Sequence, residues 1–141
     1  MKQHHQILIV GGGNAGISLA AQLLRKNSKM DIAIVDAAEK HYYQPAWTLV
    51  AGGVFDINDT ERTEAEVMPE NVTWIKEAAA SFEPEQNTLV TAAGNRYTYD
   101  YLVVCPGIQL DWKKIKGLAG NVGKNGITSN FTSGLGRNCF F

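Results

Sequence analysis

The sequence contains little cysteine and little net charge, and it has no long apolar run. Its two cysteines, Cys105 and Cys139, cannot form a disulfide framework, and neither stands among the further ligands that a zinc site needs. No apolar run approaches the roughly 18 to 20 residues of a membrane-spanning helix. The formal net charge of -1 mixes both signs without a basic stripe. We therefore predict no structural disulfides, no metal site and no nucleic-acid partner.

The chain has the composition of an ordinary globular domain. Hydrophobic residues make up 45% of its 141 residues and charged residues 19%, which is enough for one core. The start of the chain has no signal-peptide pattern, so we expect a cytoplasmic protein with His4 and His5 disordered. Glycine, asparagine and serine dominate after Gly117, and the chain closes on two phenylalanines. We expect an incomplete domain over residues 1–131 and an aberrant or disordered tail over 132–141.

The first part of the chain predicts a strand, a helix and a second strand. Residues 6–10 are apolar and rich in β-branched side chains, as in a parallel strand that is buried on both faces. Residues 15–26 predict a helix, because Ile17, Ala20 and Leu24 repeat at helical spacing. A second apolar run then predicts another buried strand over residues 31–36. This order is that of a βαβ unit.

Later segments give shorter patterns. Gly94 and Asn95 lie between two strand-like runs, where they predict a hairpin turn. The other predicted elements are a short helix over residues 46–51 and strands within 71–80 and over 88–91, 96–99 and 101–104. Together with the βαβ unit, they predict an α/β fold, namely a Rossmann-type domain with a parallel sheet plus a small antiparallel sheet.

A glycine loop joins the first predicted strand to the first predicted helix. In the pattern Gly11-x-Gly13-x-x-Gly16, the first glycine permits a tight turn and the second lets the backbone approach a pyrophosphate. The third glycine allows the helix to pack closely on the strand. Free N–H groups around Asn14 and Ala15 would then point at the phosphates. The loop therefore predicts a dinucleotide site, and a tight glycine turn without a ligand is the alternative.

Asp36 stands at the end of the second predicted strand, twenty positions after Gly16. A carboxylate at that place can accept hydrogen bonds from both hydroxyl groups of an adenosine ribose. It would also repel a 2′-phosphate, which disfavours NADP. The loop and the acid do not by themselves distinguish FAD from NAD.

Two longer segments carry a more specific resemblance. Residues 41–50, HYYQPAWTLV, and residues 99–111, YDYLVVCPGIQLD, resemble the sulfide:quinone oxidoreductases of mitochondria and many bacteria, and residues 114–118 and 128–130 continue the match. The resemblance extends from residue 6 to about residue 131. Those enzymes belong to the flavoprotein superfamily with two dinucleotide-binding domains.

The resemblance implies that the cofactor is FAD. Gln44 would lie along the flavin side of the cofactor, and Gly107 would lie close to FAD. Ala79, at the end of the predicted strand that contains Trp74, would contact adenine through its backbone. The implied cofactor-binding residues are Gly11, Gly13, Asn14, Ala15, Gly16, Asp36, Gln44, Ala79 and Gly107. The implied activity is the oxidation of sulfide, with electrons passed through FAD to a membrane quinone.

No residue of this chain is assigned a catalytic role. The redox cysteines of the resembling enzymes lie beyond the matched stretch, and Cys105 is interpreted as a small buried residue at a strand end. Their second nucleotide domain and the segment that completes the FAD and quinone sites also lie beyond it. We expect the isolated chain to be inactive and to bind FAD weakly or not at all. Exposed core surface would favour self-association, and peripheral membrane contact is expected only of the full-length protein.

Other interpretations stay open at this point. The chain could instead belong to a type II NADH dehydrogenase or to a disulfide reductase, or it could be a nucleotide-binding module without catalysis. A hydrogen-bonded loop histidine is expected at His41, and an anchor for a short helix is expected at Trp47. The basic run Lys113, Lys114 and Lys116 predicts a solvated face rather than a lipid contact.

Overall fold

The structure of the protein is a computed structural model, which describes residues 3–129 and 131. The chain forms two compact units. The first unit comprises Met1–His41 and Thr63–Gly107, and the second comprises Tyr42–Arg62 and Ile108–Phe141. The tail that we expected over residues 132–141 lies outside the described residues.

The first unit is built on a six-stranded mixed sheet. Its strands are β1 (His4–Val10), β2 (Ile32–Val35), β5 (Val72–Ile75), β6 (Ala79–Glu83), β7 (Thr88–Thr91) and β8 (Arg96–Val104), in the order β5-β2-β1-β8-β7-β6. The first four in this order are parallel, and β7 pairs antiparallel with both β8 and β6. The predicted α/β fold is confirmed. The antiparallel part continues the parallel sheet instead of standing apart from it.

The core of this unit lies on both faces of the sheet. Side chains alternate across a strand, so Leu8 and Val10 enter one apolar cluster while Ile7 and Ile9 enter the other. Helix α1 (Asn14–Lys26) covers the second cluster with Ala20, which is fully buried. The continuous apolar runs in β1 and β2 follow from this two-sided burial.

Several short elements complete the chain. They are β3 (Lys40–Tyr42) and β4 (Glu61–Thr63), which form a two-stranded sheet, the helices α2 (Trp47–Ala51) and α3 (Glu64–Val67), and the 3-10 turns Gln44–Ala46, Ile57–Thr60, Pro84–Gln86 and Trp112–Lys114. Trp47 is buried, and its indole N–H donates to Thr60 Oγ1 over 3.1 Å. The expected role of Trp47 as the anchor of a short helix is confirmed.

Three details of the fold predicted from the sequence are wrong. Residues 96–99 and 101–104 form one strand, β8, because β8 pairs with β7 at its start and with β1 along most of its length. Ala79 does not end the Trp74 strand, because β5 ends at Ile75 and Ala79 begins β6. His4 and His5 are ordered as the first residues of β1, where they pair with Thr98 and Tyr99.

The hairpin turn was predicted correctly. Gly94 has a φ of +83°, which favours glycine, and its N–H donates to the Thr91 carbonyl over 2.9 Å. Among residues 3–129 and 131, none of the helices has both the length and the apolar character that crossing a bilayer requires.

The buried strand β2 provides a stability test. We expect Ile34→Val to lower the free energy of unfolding by about 0.5–1.5 kcal/mol, because it removes a methylene group from a side chain that is 0% exposed. Urea unfolding of the chain measures this change. Ile108→Val is the matched control, since Ile108 is 75% exposed, and its effect should stay within about 0.5 kcal/mol. Equal losses in the two variants would contradict the assigned core.

Candidate functional site

The glycine loop joins the end of β1 to the start of α1. Gly11 has a φ of +104°, and a Cβ at this position would overlap the carbonyl oxygen of Cys105. Its N–H donates to the Val35 carbonyl over 3.0 Å, which ties the loop to the end of β2. Both the backbone conformation and the close approach of a neighbouring strand therefore require glycine here.

Gly16 and Gly13 have opposite surroundings. A Cβ at Gly16 would overlap the carbonyl oxygen of Gly11, so this glycine lets α1 pack directly onto the turn. A Cβ at Gly13 would meet nothing within 4 Å, and Gly13 is exposed. Gly16 thus serves packing, whereas Gly13 leaves open space at the start of the helix.

The backbone N–H groups in the first turn of α1 are not capped by a side chain. Gly13 occupies the N-cap position and has no side chain to cap the helix, and the first turn contains no acidic residue. The N-terminal end of a 13-residue helix carries a partial positive charge. Asn14 is the first helical residue, and Ala15 beside it is exposed. This end of α1 can therefore accept an anionic group.

Asp36 lies directly after β2, beside the loop. Its Oδ2 accepts from the Gly12 N–H over 2.6 Å, and its Oδ1 accepts from the Ala38 N–H over 2.7 Å. The carbonyl of Asp36 accepts from the Trp74 indole N–H over 2.9 Å, which holds the backbone in place. Each carboxylate oxygen keeps a further lone pair, and the residue is only partly buried. Asp36 can therefore accept hydrogen bonds from a ligand while it holds the loop.

A cleft lies at the carboxyl ends of the parallel strands. It has a volume of about 230 Å³. It brings together Gly11, Asp36 and Ala79, three of the residues that the sequence predicted. The lining residues are Val10, Gly11, Val35, Asp36, Ala37, Glu77, Ala78, Ala79 and Pro106. Crevices outside the carboxyl ends of strands are where open α/β sheets bind their ligands.

The other six predicted residues lie outside this lining, namely Gly13, Asn14, Ala15 and Gly16 at the start of α1, and Gln44 and Gly107. Gly107 directly follows Pro106, and its φ of +78° favours glycine. Gln44 belongs to the second unit, where it begins a 3-10 turn ahead of α2. The cofactor contacts expected of both residues stay predictions.

A buried acid–base pair lies beside the loop, and half of it was not predicted. His41 is on β3 and Glu64 begins α3, and the side chains are 9% and 2% exposed. His41 Nδ1 lies 3.4 Å from Glu64 Oε2, and His41 Nε2 lies 3.1 Å from Asn14 Oδ1. The expected hydrogen-bonded histidine is confirmed, but it lies on a strand. Glu64 was missed, although Thr63 and Glu66 form a capping box that marks the start of its helix.

Burial raises the pKa of the Glu64 carboxyl above its usual range. The nearby His41 opposes this rise, and the Asp36 carboxylate adds to it. Glu64 Oε1 has no hydrogen-bond partner among the described residues, and a Cβ on Gly12 would lie 2.5 Å from it. A buried carboxylate oxygen without a partner is costly, which favours the protonated form of this acid.

Cys105 lies just beyond β8 against the loop. Its Sγ approaches the Gly11 carbonyl at 3.8 Å, and burial raises the pKa of the thiol. A raised pKa reduces the thiolate fraction, so the thiol is a poor nucleophile. Cys105 is half-buried rather than buried as predicted, but its raised pKa agrees with the interpretation of an inert residue. Cys139 lies outside the described residues.

The second unit contains a larger pocket of about 720 Å³. Its lining includes Trp112 and an exposed ion pair between Lys114 and Asp111 at 3.2 Å. Lys113 and Lys116 are exposed as well, which agrees with the expected solvated face. No buried acid or base faces this pocket from the described residues that line it, so size alone does not make it the functional site.

Comparison with known proteins agrees with this geometry. Residues 5–136 match the family described as pyridine nucleotide-disulphide oxidoreductase. The chain is 49% identical over 133 residues to the mitochondrial sulfide:quinone oxidoreductase of Dictyostelium discoideum, covering 94% of this chain and 29% of that protein. It is 38% identical over 131 residues to the mouse mitochondrial enzyme of that name, covering 93% of this chain and 29% of that protein.

The chain is also similar to a solved structure of a sulfide:quinone oxidoreductase. The chain resembles the sulfide:quinone oxidoreductase of Aquifex aeolicus with a TM-score of 0.78 and 27% identity, over 98% of this chain and 30% of that one. The chain therefore spans about three tenths of the length of the relatives that it matches. The sequence-based resemblance is confirmed. Two of these relatives are named as mitochondrial, whereas the compartment of this chain stays a prediction.

The contrast between the two glycines gives a matched pair of variants. We expect Gly16→Ala to lower the free energy of unfolding by about 1–3 kcal/mol, because its methyl group would overlap backbone that cannot move aside. Gly13→Ala should cost less than about 1 kcal/mol, since its methyl group enters open space at an N-cap. Thermal and urea unfolding of both variants measure the difference. Similar losses would show that α1 does not pack on the turn as described.

Proposed function

Because the chain belongs to the pyridine nucleotide-disulphide oxidoreductase family, we propose that its glycine loop and Asp36 bind FAD. The observation that carries this proposal is the cleft, in which the turn at Gly11 and the carboxylate of Asp36 meet at the carboxyl ends of β1 and β2. An adenosine diphosphate moiety needs an anion site and a hydroxyl-binding acid within reach of each other. The described residues fit that requirement.

In the proposed binding mode, the diphosphate lies at the start of α1. Gly11, Gly13 and Gly16 allow its close approach, and backbone N–H groups at Asn14 and Ala15 donate to it. The open space beside Gly13 supports this arrangement, because no protein atom outside the adjoining residues lies within 4 Å of the place that a Cβ would occupy there.

The adenosine occupies the cleft in this proposal. Asp36 accepts from the ribose hydroxyl groups with the lone pairs that Gly12 and Ala38 leave free. The backbone of Ala79 contacts the adenine, and Gln44 and Gly107 contact the part of FAD nearer the flavin. The negative charge of Asp36 also disfavours a ribose that carries a 2′-phosphate.

We further propose that the chain is the FAD-binding portion of an enzyme that oxidises sulfide and reduces quinone. Its similarity to three proteins named for that activity supports this assignment. Bound FAD would accept two electrons from sulfide oxidation and pass them to the quinone, while the protein holds and orients the flavin. No described residue of the chain is assigned to the sulfur chemistry, so we expect no turnover from these 141 residues alone.

The cofactor assignment is tested with Asp36→Asn, which removes the charge and one acceptor atom. We expect the affinity for FAD to fall about 10-fold or more, since hydrogen bonds to a charged group contribute about 1.5–3 kcal/mol. Titration of the purified chain with FAD, followed by its visible spectrum, measures the affinity. Asp100→Asn is the control, because Asp100 is an exposed residue of β8 outside the cleft lining. An unchanged affinity in D36N, or a full-length gene product that contains no flavin, would contradict the proposal.

The activity is tested on the full-length gene product. With quinone as the electron acceptor, we expect turnover with sulfide and not with NADH. Turnover with NADH and none with sulfide would instead favour a type II NADH dehydrogenase. Absence of turnover with both substrates would favour a nucleotide-binding module.

A further inference from the structure

The buried pair of His41 and Glu64 has no part in the contacts proposed above. Its two members come from β3 and α3, and they reach the start of α1 through Asn14. His41 therefore connects three elements around the loop that is proposed to bind the diphosphate. Glu64 Oε1, buried and without a partner among the described residues, lies directly beside Gly12 of that loop.

The hydrogen-bonding capacity of Asn14 fixes one proton on His41. An amide oxygen only accepts hydrogen bonds, so the His41 Nε2 that lies 3.1 Å from Asn14 Oδ1 must carry a proton. If the imidazole is neutral, its Nδ1 accepts, and Glu64 must donate as a carboxylic acid. If the imidazole is charged, its Nδ1 donates to a Glu64 carboxylate. In either case one proton lies between Nδ1 and Oε2, and the pair is neutral as a whole.

Loss of that proton has two consequences at the loop. The neutral imidazole then has one N–H for two contacts, and the Glu64 carboxylate attracts it to Nδ1, so Nε2 no longer donates to Asn14. The pair also becomes negative beside Asp36, the other charged group that acts on Glu64. A negative pair close to the start of α1 would oppose the binding of an anionic diphosphate.

We propose that His41 and Glu64 are positioning residues of the diphosphate site, which hold Asn14 in place through the proton that they share. This inference rests on the proposed binding of FAD and adds a dependence on pH to it. Burial raises the pKa of the Glu64 carboxyl, which extends the pH range over which the pair keeps its proton. The direction of the pH dependence follows from this raised pKa. Diphosphate affinity is fully present below the raised pKa and declines as the pH rises through it.

The test uses ADP-ribose as the probe and adenosine as its reference. ADP-ribose contains the adenosine and a diphosphate diester whose charge stays constant across neutral pH, and it contains no flavin. Isothermal titration calorimetry of the 141-residue chain across the pH range measures both affinities. We expect the affinity for ADP-ribose to fall about 5- to 10-fold as the pair loses its proton, as expected for the loss of about one hydrogen bond. The affinity for adenosine should change little.

Glu64→Gln separates the shared proton from a merely structural role. The amide of glutamine has nearly the shape of the acid and always carries N–H groups, so it can donate to His41 Nδ1 at any pH. We expect E64Q to bind ADP-ribose with an affinity that no longer depends on pH. His4→Gln is the control, since His4 is exposed at the start of β1 and should leave the pH profile unchanged.

A double-mutant cycle tests the path through Asn14. We expect His41→Phe and Asn14→Ala each to weaken ADP-ribose more than adenosine, and we expect the double variant to be no weaker than either single one. If the two losses add, or if E64Q keeps the wild-type pH profile, His41 and Glu64 do not act as proposed. If neither ADP-ribose nor FAD binds at any pH, it is the proposed function that fails instead.

Discussion

The close contact between Gly16 and the carbonyl of Gly11 is the constraint on which the site depends. Only the absence of a Cβ at Gly16 lets α1 begin directly against the turn that leaves β1. The same turn is fixed on its other sides by the Gly11 N–H bond to Val35 and by the backbone of Cys105. The direction of α1, and with it the direction of its positive end, is therefore set by backbone contacts rather than by a capping side chain.

The two acidic groups around the loop, Asp36 and Glu64, have different surroundings. Asp36 is partly exposed and receives two backbone N–H bonds, which suit a carboxylate. Glu64 is buried with one oxygen unpaired among the described residues, which suits a neutral acid. An anion site beside two uncompensated carboxylates would repel its ligand, whereas the His41–Glu64 pair with its shared proton is neutral as a whole and is compatible with a diphosphate at α1.

Local sequence patterns predicted the elements that depend mainly on their own residues. The apolar runs of β1 and β2, the helical spacing in α1 and the turn at Gly94 were all recognised, because each depends on its own residues. The continuous strand β8 was divided in two at Asp100, since its continuity depends on pairing with β1, which lies far away in the sequence. His5 was taken as disordered for the same reason, although it is buried and pairs with Tyr99 of β8.

The sequence by itself determined the strand, glycine turn and helix, together with the acid that follows the second strand, because spacing and residue type are sufficient to specify them. Tertiary structure decided the rest of the site. Ala79 reaches the cleft because β6 joins the sheet by pairing with β7, which in turn pairs with β8. The pairing of His41 with Glu64 joins residues 23 positions apart through their packing around α1, and no local pattern encodes such a contact.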